Sequence, residues 1–103
     1  MLIERVKGDD YSDEFTLTLK KTLQPANLTG CTATLVLDML QNPPDSSTQV
    51  YQLTGEIDPL VGKISFAPTK AQANLSGRFY FTVKLTDQTG KDRTIASGLY
   101  IYK

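Results

Sequence analysis

From Phe15 the chain alternates between apolar and polar positions: Phe15, Leu17 and Leu19 share one side, and Thr16, Thr18 and Lys20 the other. A period of two marks an extended strand with one buried face. The pattern returns at Cys31, Ala33, Leu35 and Leu37, set against Thr32, Thr34, Val36 and Asp38. It is strongest at Phe79, Phe81, Val83 and Leu85, set against Arg78, Tyr80, Thr82 and Lys84. Shorter runs at Val50 to Leu53, Glu56 to Asp58 and Lys63 to Phe66, a closing run from Arg93 to Tyr102 and an opening one from Leu2 to Val6 complete a set of seven or eight short strands.

Turn signals separate these runs. Leu23 to Gly30 holds Pro25, Asn27 and Gly30, and Gln41 to Thr48 holds two prolines that no central strand accommodates, which predicts the longest loop there. Thr69 to Ala73, behind Pro68, combines a capping threonine with good helix formers and predicts one short helical turn. No run of 10 to 15 residues shows a 3.6 period, so crossover helices for a parallel sheet are lacking. The expected fold is an all-β, immunoglobulin-like antiparallel β-sandwich, one domain over residues 1–103. Its expected core is Phe15, Leu17, Leu19, Leu35, Leu37, Ile64, Phe66, Phe79, Phe81, Val83 and Leu85.

The last hairpin allows a finer expectation. Asp87 at the first position of a type I turn and Gly90 at the fourth predict a three-residue loop of Gln88, Thr89 and Gly90, with Asp87 facing Lys91. Counting outward pairs Val83 with Ile95, Phe81 with Ser97 and Phe79 with Leu99, adding Ile95, Leu99 and Ile101 to the core. The opposite face then pairs Lys84 with Thr94, Tyr80 with Gly98 and Arg78 with Tyr100, and a bulge at Ser97-Gly98 would shift this register by one. Arginine and tyrosine are enriched at interface hot spots, so Arg78, Tyr80 and Tyr100 form the candidate assembly surface.

Composition narrows the function. The 11 basic and 11 acidic residues cancel, so no overall field draws in nucleic acid or an anionic membrane, and neither is an expected partner. No stretch approaches the roughly 20 apolar residues of a spanning helix. The first ten residues carry five charges and lack the apolar run of a signal peptide. Cys31 is the one cysteine, which rules out an internal disulfide and reads as a small core residue.

The chain has no histidine, which removes the commonest general base and most zinc sites, and its acids lie scattered over turns. Asp9, Asp10, Asp13 and Glu14 are hard oxygen ligands without the spacing of a calcium loop, and Asp87-Gln88-Thr89-Gly90 is turn chemistry. No enzyme, cofactor or metal is therefore expected. Two readings remain, a binding or structural module of an assembly and a bacterial surface or carbohydrate-binding module with tyrosines displayed over a sheet.

The order of motifs favours the first. Gly8-Asp9 before Phe15-Thr16-Leu17-Thr18-Leu19, then Ala26-Asn27-Leu28-Thr29-Gly30-Cys31-Thr32-Ala33, Leu53-Thr54-Gly55-Glu56-Ile57-Asp58, Gly62-Lys63-Ile64-Ser65-Phe66, Leu75-Ser76-Gly77-Arg78-Phe79-Tyr80-Phe81, Leu85-Thr86-Asp87 and Ala96-Ser97-Gly98 follow one another along nearly the whole chain. In this order they resemble the N-terminal immunoglobulin-like domain of phage baseplate upper proteins. The resemblance implies a virion structural part of a tailed phage that docks onto other tail or baseplate proteins, with a homo-oligomer possible, and that is made in the bacterial host cytoplasm without a signal peptide.

Overall fold

The computed structural model describes residues 1–8, 12–16 and 28–103. Within them, period-two segments become eight strands: β1 (Leu2–Arg5), β2 (Asp13–Thr16), β3 (Thr32–Asp38), β4 (Gln49–Thr54), β5 (Glu56–Asp58), β6 (Lys63–Phe66), β7 (Gly77–Thr86) and β8 (Asp92–Tyr102). They build two sheets, one of five strands in the order β1-β8-β7-β3-β4 and one of three in the order β2-β6-β5. Their inner faces enclose the core, as the alternation requires.

Ala33, Leu35, Leu37, Tyr51, Phe81, Val83, Tyr100 and Tyr102 enter this core from the larger sheet, and Phe15, Ile64 and Phe66 from the smaller. Phe79, Leu85, Ile95 and Cys31 pack half-buried at its rim. Leu17 and Leu19 lie outside the described residues. Each fully buried large side chain contributes roughly 1.5–3 kcal/mol through lost apolar hydration, so this cluster is the main source of stability.

One pairing departs from the antiparallel expectation: β1 runs parallel to β8, with Leu2 beside Leu99 and Arg5 beside Tyr102. Its ladder includes Leu99 N–H to Met1 O (3.0 Å) and Lys103 N–H to Arg5 O (2.8 Å). The chain changes sheets between β4 and β5 at Gly55, whose N–H still bonds Ala33 O in the larger sheet (2.8 Å). A side chain at this position would start 2.8 Å from the Phe66 ring, so the crossing needs glycine.

The short helical turn expected at Thr69 to Ala73 is not present as a helix. Thr69 and Gln72 exchange the two bonds of a capping box (2.8 and 3.1 Å), and Ala73 N–H reaches Thr69 O (2.9 Å). A single such bond does not repay helix nucleation, and with Ala73 held in the core the chain turns out toward β7.

The β7–β8 turn forms as its residues demand. Gly90 N–H bonds Asp87 O (3.1 Å), Asp87 N–H bonds Lys91 O (3.0 Å), and Gly90 takes a φ of 85°, open to glycine at no steric cost. The Asp87 carboxylate accepts the Thr89 hydroxyl (2.6 Å) and the N–H groups of Thr89 (2.9 Å) and Lys91 (3.1 Å). The Thr89 hydroxyl, followed by the Lys91 N–H, holds this carboxyl below its ordinary pKa. A depressed folded-state pKa contributes stability above the unfolded value, near about 3.9, that is lost as pH falls through the folded value. Asp87→Asn is therefore expected to melt below the parent at pH 6 and to converge with it as pH falls through the depressed folded-state value, followed by thermal melts over the acid range.

Past the turn, the expected register holds for Thr86 with Asp92, Leu85 with Arg93 and Lys84 with Thr94, and then shifts by one. Val83 faces Ala96, Phe81 faces Gly98 and Phe79 faces Tyr100, which leaves Ile95 as the extra residue of a bulge. The shift lies nearer the turn than Ser97-Gly98. It reverses the two faces of β8 from that point on.

Candidate assembly surface

The bulge decides which residues of β8 look outward. Tyr100, expected on the surface, is wholly buried, and Leu99 and Ile101, expected in the core, take the outer face beside Tyr80 and Arg78. Arg78 and Tyr80 stay on the outer face as expected. The structure thus keeps two of the three candidate residues together and removes the third.

Polar chemistry under the sheet explains this choice. Tyr100 donates its phenol hydrogen to Asp13 Oδ2 (2.5 Å), while Arg5 donates from Nε (3.1 Å) and Nη2 (2.6 Å) to Oδ1 of the same carboxylate. Asp13 is 2% exposed, and a charge so buried requires this set of partners. Burial alone would lower the Arg5 pKa, but the hydrogen bond and charge of Asp13 outweigh it and hold the guanidinium above its ordinary value. Tyr102 and Tyr51 share a second buried hydrogen bond (2.9 Å), and the Tyr100 and Tyr102 rings stack at 5.1 Å. Without the bulge, Leu99 and Ile101 would turn inward, and Asp13 would lose its phenol.

Outside the sheet, register places the side chains in rows. Leu2, Leu99, Tyr80 and Asp38 lie side by side across β1, β8, β7 and β3, and the neighbouring row holds Glu4, Ile101 and Arg78. Leu2 is 56% exposed, Arg78 is exposed, and Tyr80, Leu99 and Ile101 are half-exposed. The result is an outer-face patch in which Leu2, Leu99 and Ile101 are interleaved with Glu4, Arg78 and Tyr80.

The long loop closes one side of this face. Asp38, itself buried, accepts the Leu40 N–H (2.9 Å) and the Thr48 hydroxyl (2.6 Å), and Met39 N–H reaches Thr48 O (3.2 Å). These bonds tie the base of the excursion, leaving Met39 and Leu40 at its edge 59% and 45% exposed. Gln41 and Asn42 stand over the sheet between two open grooves of about 370 and 280 Å³, with Thr82 on the floor of both.

The smaller sheet presents a different outer face. Glu14, Glu56 and Asp58 line a shallow depression with Lys63 and Ser65, and Lys63 pairs with Glu14 at 3.2 Å. Asp13 and Glu14 point to opposite faces of β2, one into the core and one to solvent. Those two hard oxygen ligands therefore do not converge, and Asp9 and Asp10 lie outside the described residues.

Comparison with known proteins adds identity to this geometry. The profile of the BppU N-terminal domain, that of the phage baseplate upper protein, matches residues 2–98. Among solved structures, the N-terminal domain of phage TP901-1 ORF48 superposes with a TM-score of 0.57 at 17% identity, covering 100% of this chain and 85% of that one. A search of curated proteins returned no match. Matched over nearly its whole length in sequence, the chain belongs to the BppU N-terminal domain family of phage baseplate proteins.

Proposed function

We propose that this domain is a non-catalytic part of the virion that docks onto other proteins of the phage tail or baseplate through the outer face of its five-stranded sheet. The observation that carries the reading is the cluster of Leu2, Arg78, Tyr80, Leu99 and Ile101 on one face of the sheet. Tyrosine and arginine amid aliphatic side chains is the composition of binding hot spots, where desolvated aromatic and guanidinium groups contribute most. Tyr100 acts from beneath by fixing the register that presents its neighbours. Synthesis in the host cytoplasm suits a fold held by packing and a buried ion pair, with no disulfide to form.

Capture of separately purified baseplate proteins from the same phage tests the proposal. A variant carrying Arg78→Ser, Tyr80→Ser and Leu99→Ser is expected to lose at least about 30-fold in affinity, since loss of a single hot spot costs about 2 kcal/mol or more. Its melting temperature is expected to stay close to the parent's, because these side chains lie outside the core. Undiminished capture by the folded triple variant would reject the assignment.

A further inference from the structure

The larger of the two grooves on the outer face is a trough that runs along the strands. Three successive outward residues of β3, Thr34, Val36 and Asp38, line it together with Thr82 and Lys84 of β7, and the long loop walls it from Gln41 to Pro43. Its volume of about 370 Å³ falls within the range of ligand-binding clefts.

The two ends of this trough carry opposite charges that the chain itself leaves unused. Asp38 is 4% exposed, and its Oδ1 accepts both the Leu40 N–H and the Thr48 hydroxyl. Its Oδ2 accepts no hydrogen bond from the described residues. Every fully buried side-chain oxygen among them has a partner, so Oδ2 is the part of the carboxylate that reaches the trough. At the other end, Lys84 is exposed and forms no ion pair among the described residues. A carboxylate held so far out of water, with one oxygen unpaired, favours a cationic donor at that oxygen.

Register fixes how far apart these charges sit. Lys84 stands across from Thr34, and Thr34 lies four residues before Asp38 on the same strand, about 13 Å at the rise of a strand. A free amino acid carries its two charges about 3.5 Å apart, too close together to reach both. An extended segment with a basic and an acidic residue four positions apart spans the same distance and turns both toward one face.

We infer that this trough seats an extended segment of a partner protein, with a lysine or arginine on Asp38 Oδ2 and an aspartate or glutamate four positions away on Lys84. Val36 and Thr82, paired across the ladder between the two charges, lie under the middle of the segment. The inference rests on docking through the outer face and names the charge pattern that the partner brings to it. Asp38 ends the row of residues that starts at Leu2, so the trough continues the patch on β1 and β8.

Five-residue peptides with blocked ends serve as probes: Lys-Thr-Ser-Thr-Glu, its reverse Glu-Thr-Ser-Thr-Lys, an uncharged Gln-Thr-Ser-Thr-Gln, and Thr-Ser-Lys-Glu-Thr with adjacent charges. Titrated against the isotope-labelled chain and followed by NMR, one of the first two is expected to shift the amides of Thr34, Val36, Thr82 and Lys84, with a Kd near about 1 mM. Lys84→Glu is expected to weaken that peptide at least about tenfold while melting as the parent does. A peptide with lysine at both ends is expected to bind this variant in preference to the parent, which loss of folding would not permit. Asp38→Asn, which keeps Oδ1 and its two donors, is expected to weaken the charged peptide as well. Saturation by neither order, equal binding of the uncharged or adjacent-charge peptide, or indifference to Lys84→Glu overturns the inference. The same shifts on concentrating the chain alone would put a second copy in the trough and overturn it too. No baseplate protein enters this assay, so its failure is separate from a failure of the capture experiment, which judges outer-face docking.

Discussion

Alanine in place of Phe81 is expected to lower the unfolding free energy by about 3–5 kcal/mol, among the largest losses available to one side chain here. Phe81 is 1% exposed at the centre of the larger sheet. Its ring meets Tyr100 edge-on at 6.0 Å and lies 6.3 Å from Phe15 of the opposite sheet, so it joins both layers. On the β8 side it faces Gly98, which has no side chain to relax into the space vacated, and on the β3 side it faces the buried Leu37. A domain of this size has about 5–15 kcal/mol in total, and each kcal/mol moves the melting temperature by about 4–8 °C. Urea unfolding and a thermal melt measure the change, and a variant melting within a few degrees of the parent would show that the core lies elsewhere.

Asp13→Ala is expected to cost about 3 kcal/mol, by a different route. Here the volume lost is small, and the damage comes from the partners left behind: a buried Tyr100 hydroxyl and an Arg5 guanidinium whose side chain is 34% exposed. Water reaches part of the guanidinium, which keeps the loss near the lower end for a broken buried ion pair. Tyr100→Phe, which leaves the ion pair in place, is expected to cost about 1–2 kcal/mol. A double-mutant cycle between the two positions, read by chemical denaturation, is expected to give a coupling above about 0.5 kcal/mol. Strictly additive losses would mean that the phenol and the carboxylate do not act as one unit.

Strands such as β3, β6 and β7 were legible because alternation is local: they lie where apolar and polar positions trade places, with boundaries moved by at most a residue, whereas the far end of the run from Phe15 lies outside the described residues. The Asp87 turn was legible for the same reason, since aspartate and glycine at fixed positions impose their own φ and hydrogen bonds. The bulge at Ile95 was not. What selects it is a carboxylate at Asp13, in a strand of the other sheet, that becomes buried only after folding and then requires a phenol. Counting from the turn assigned Leu99 and Ile101 to the core, and the buried partners of Tyr100 and Tyr102, Asp13 and Tyr51, lie on other strands. The expected outer-face placement therefore holds at Arg78 and Tyr80, which lie on β7, and fails at Tyr100, which follows the extra residue on β8 and is buried. The one local hint was the spacing of two tyrosines at Tyr100 and Tyr102, an inward alternation as good as that of Leu99 and Ile101.

The parallel pairing of β1 with β8 bears on how the domain carries force. Tension applied between Met1 and Lys103 draws the two neighbouring strands past each other along their length. The bonds that join them, including Leu99 to Met1 and Lys103 to Arg5, are then strained together in shear, whereas pulling apart the two ends of a hairpin would open such bonds one at a time. Arg5 adds a side-chain anchor to Asp13 in the second sheet, so sliding β1 also drags against a buried ion pair. Under such tension the four residues of β1 would be loaded in shear against β8 all at once.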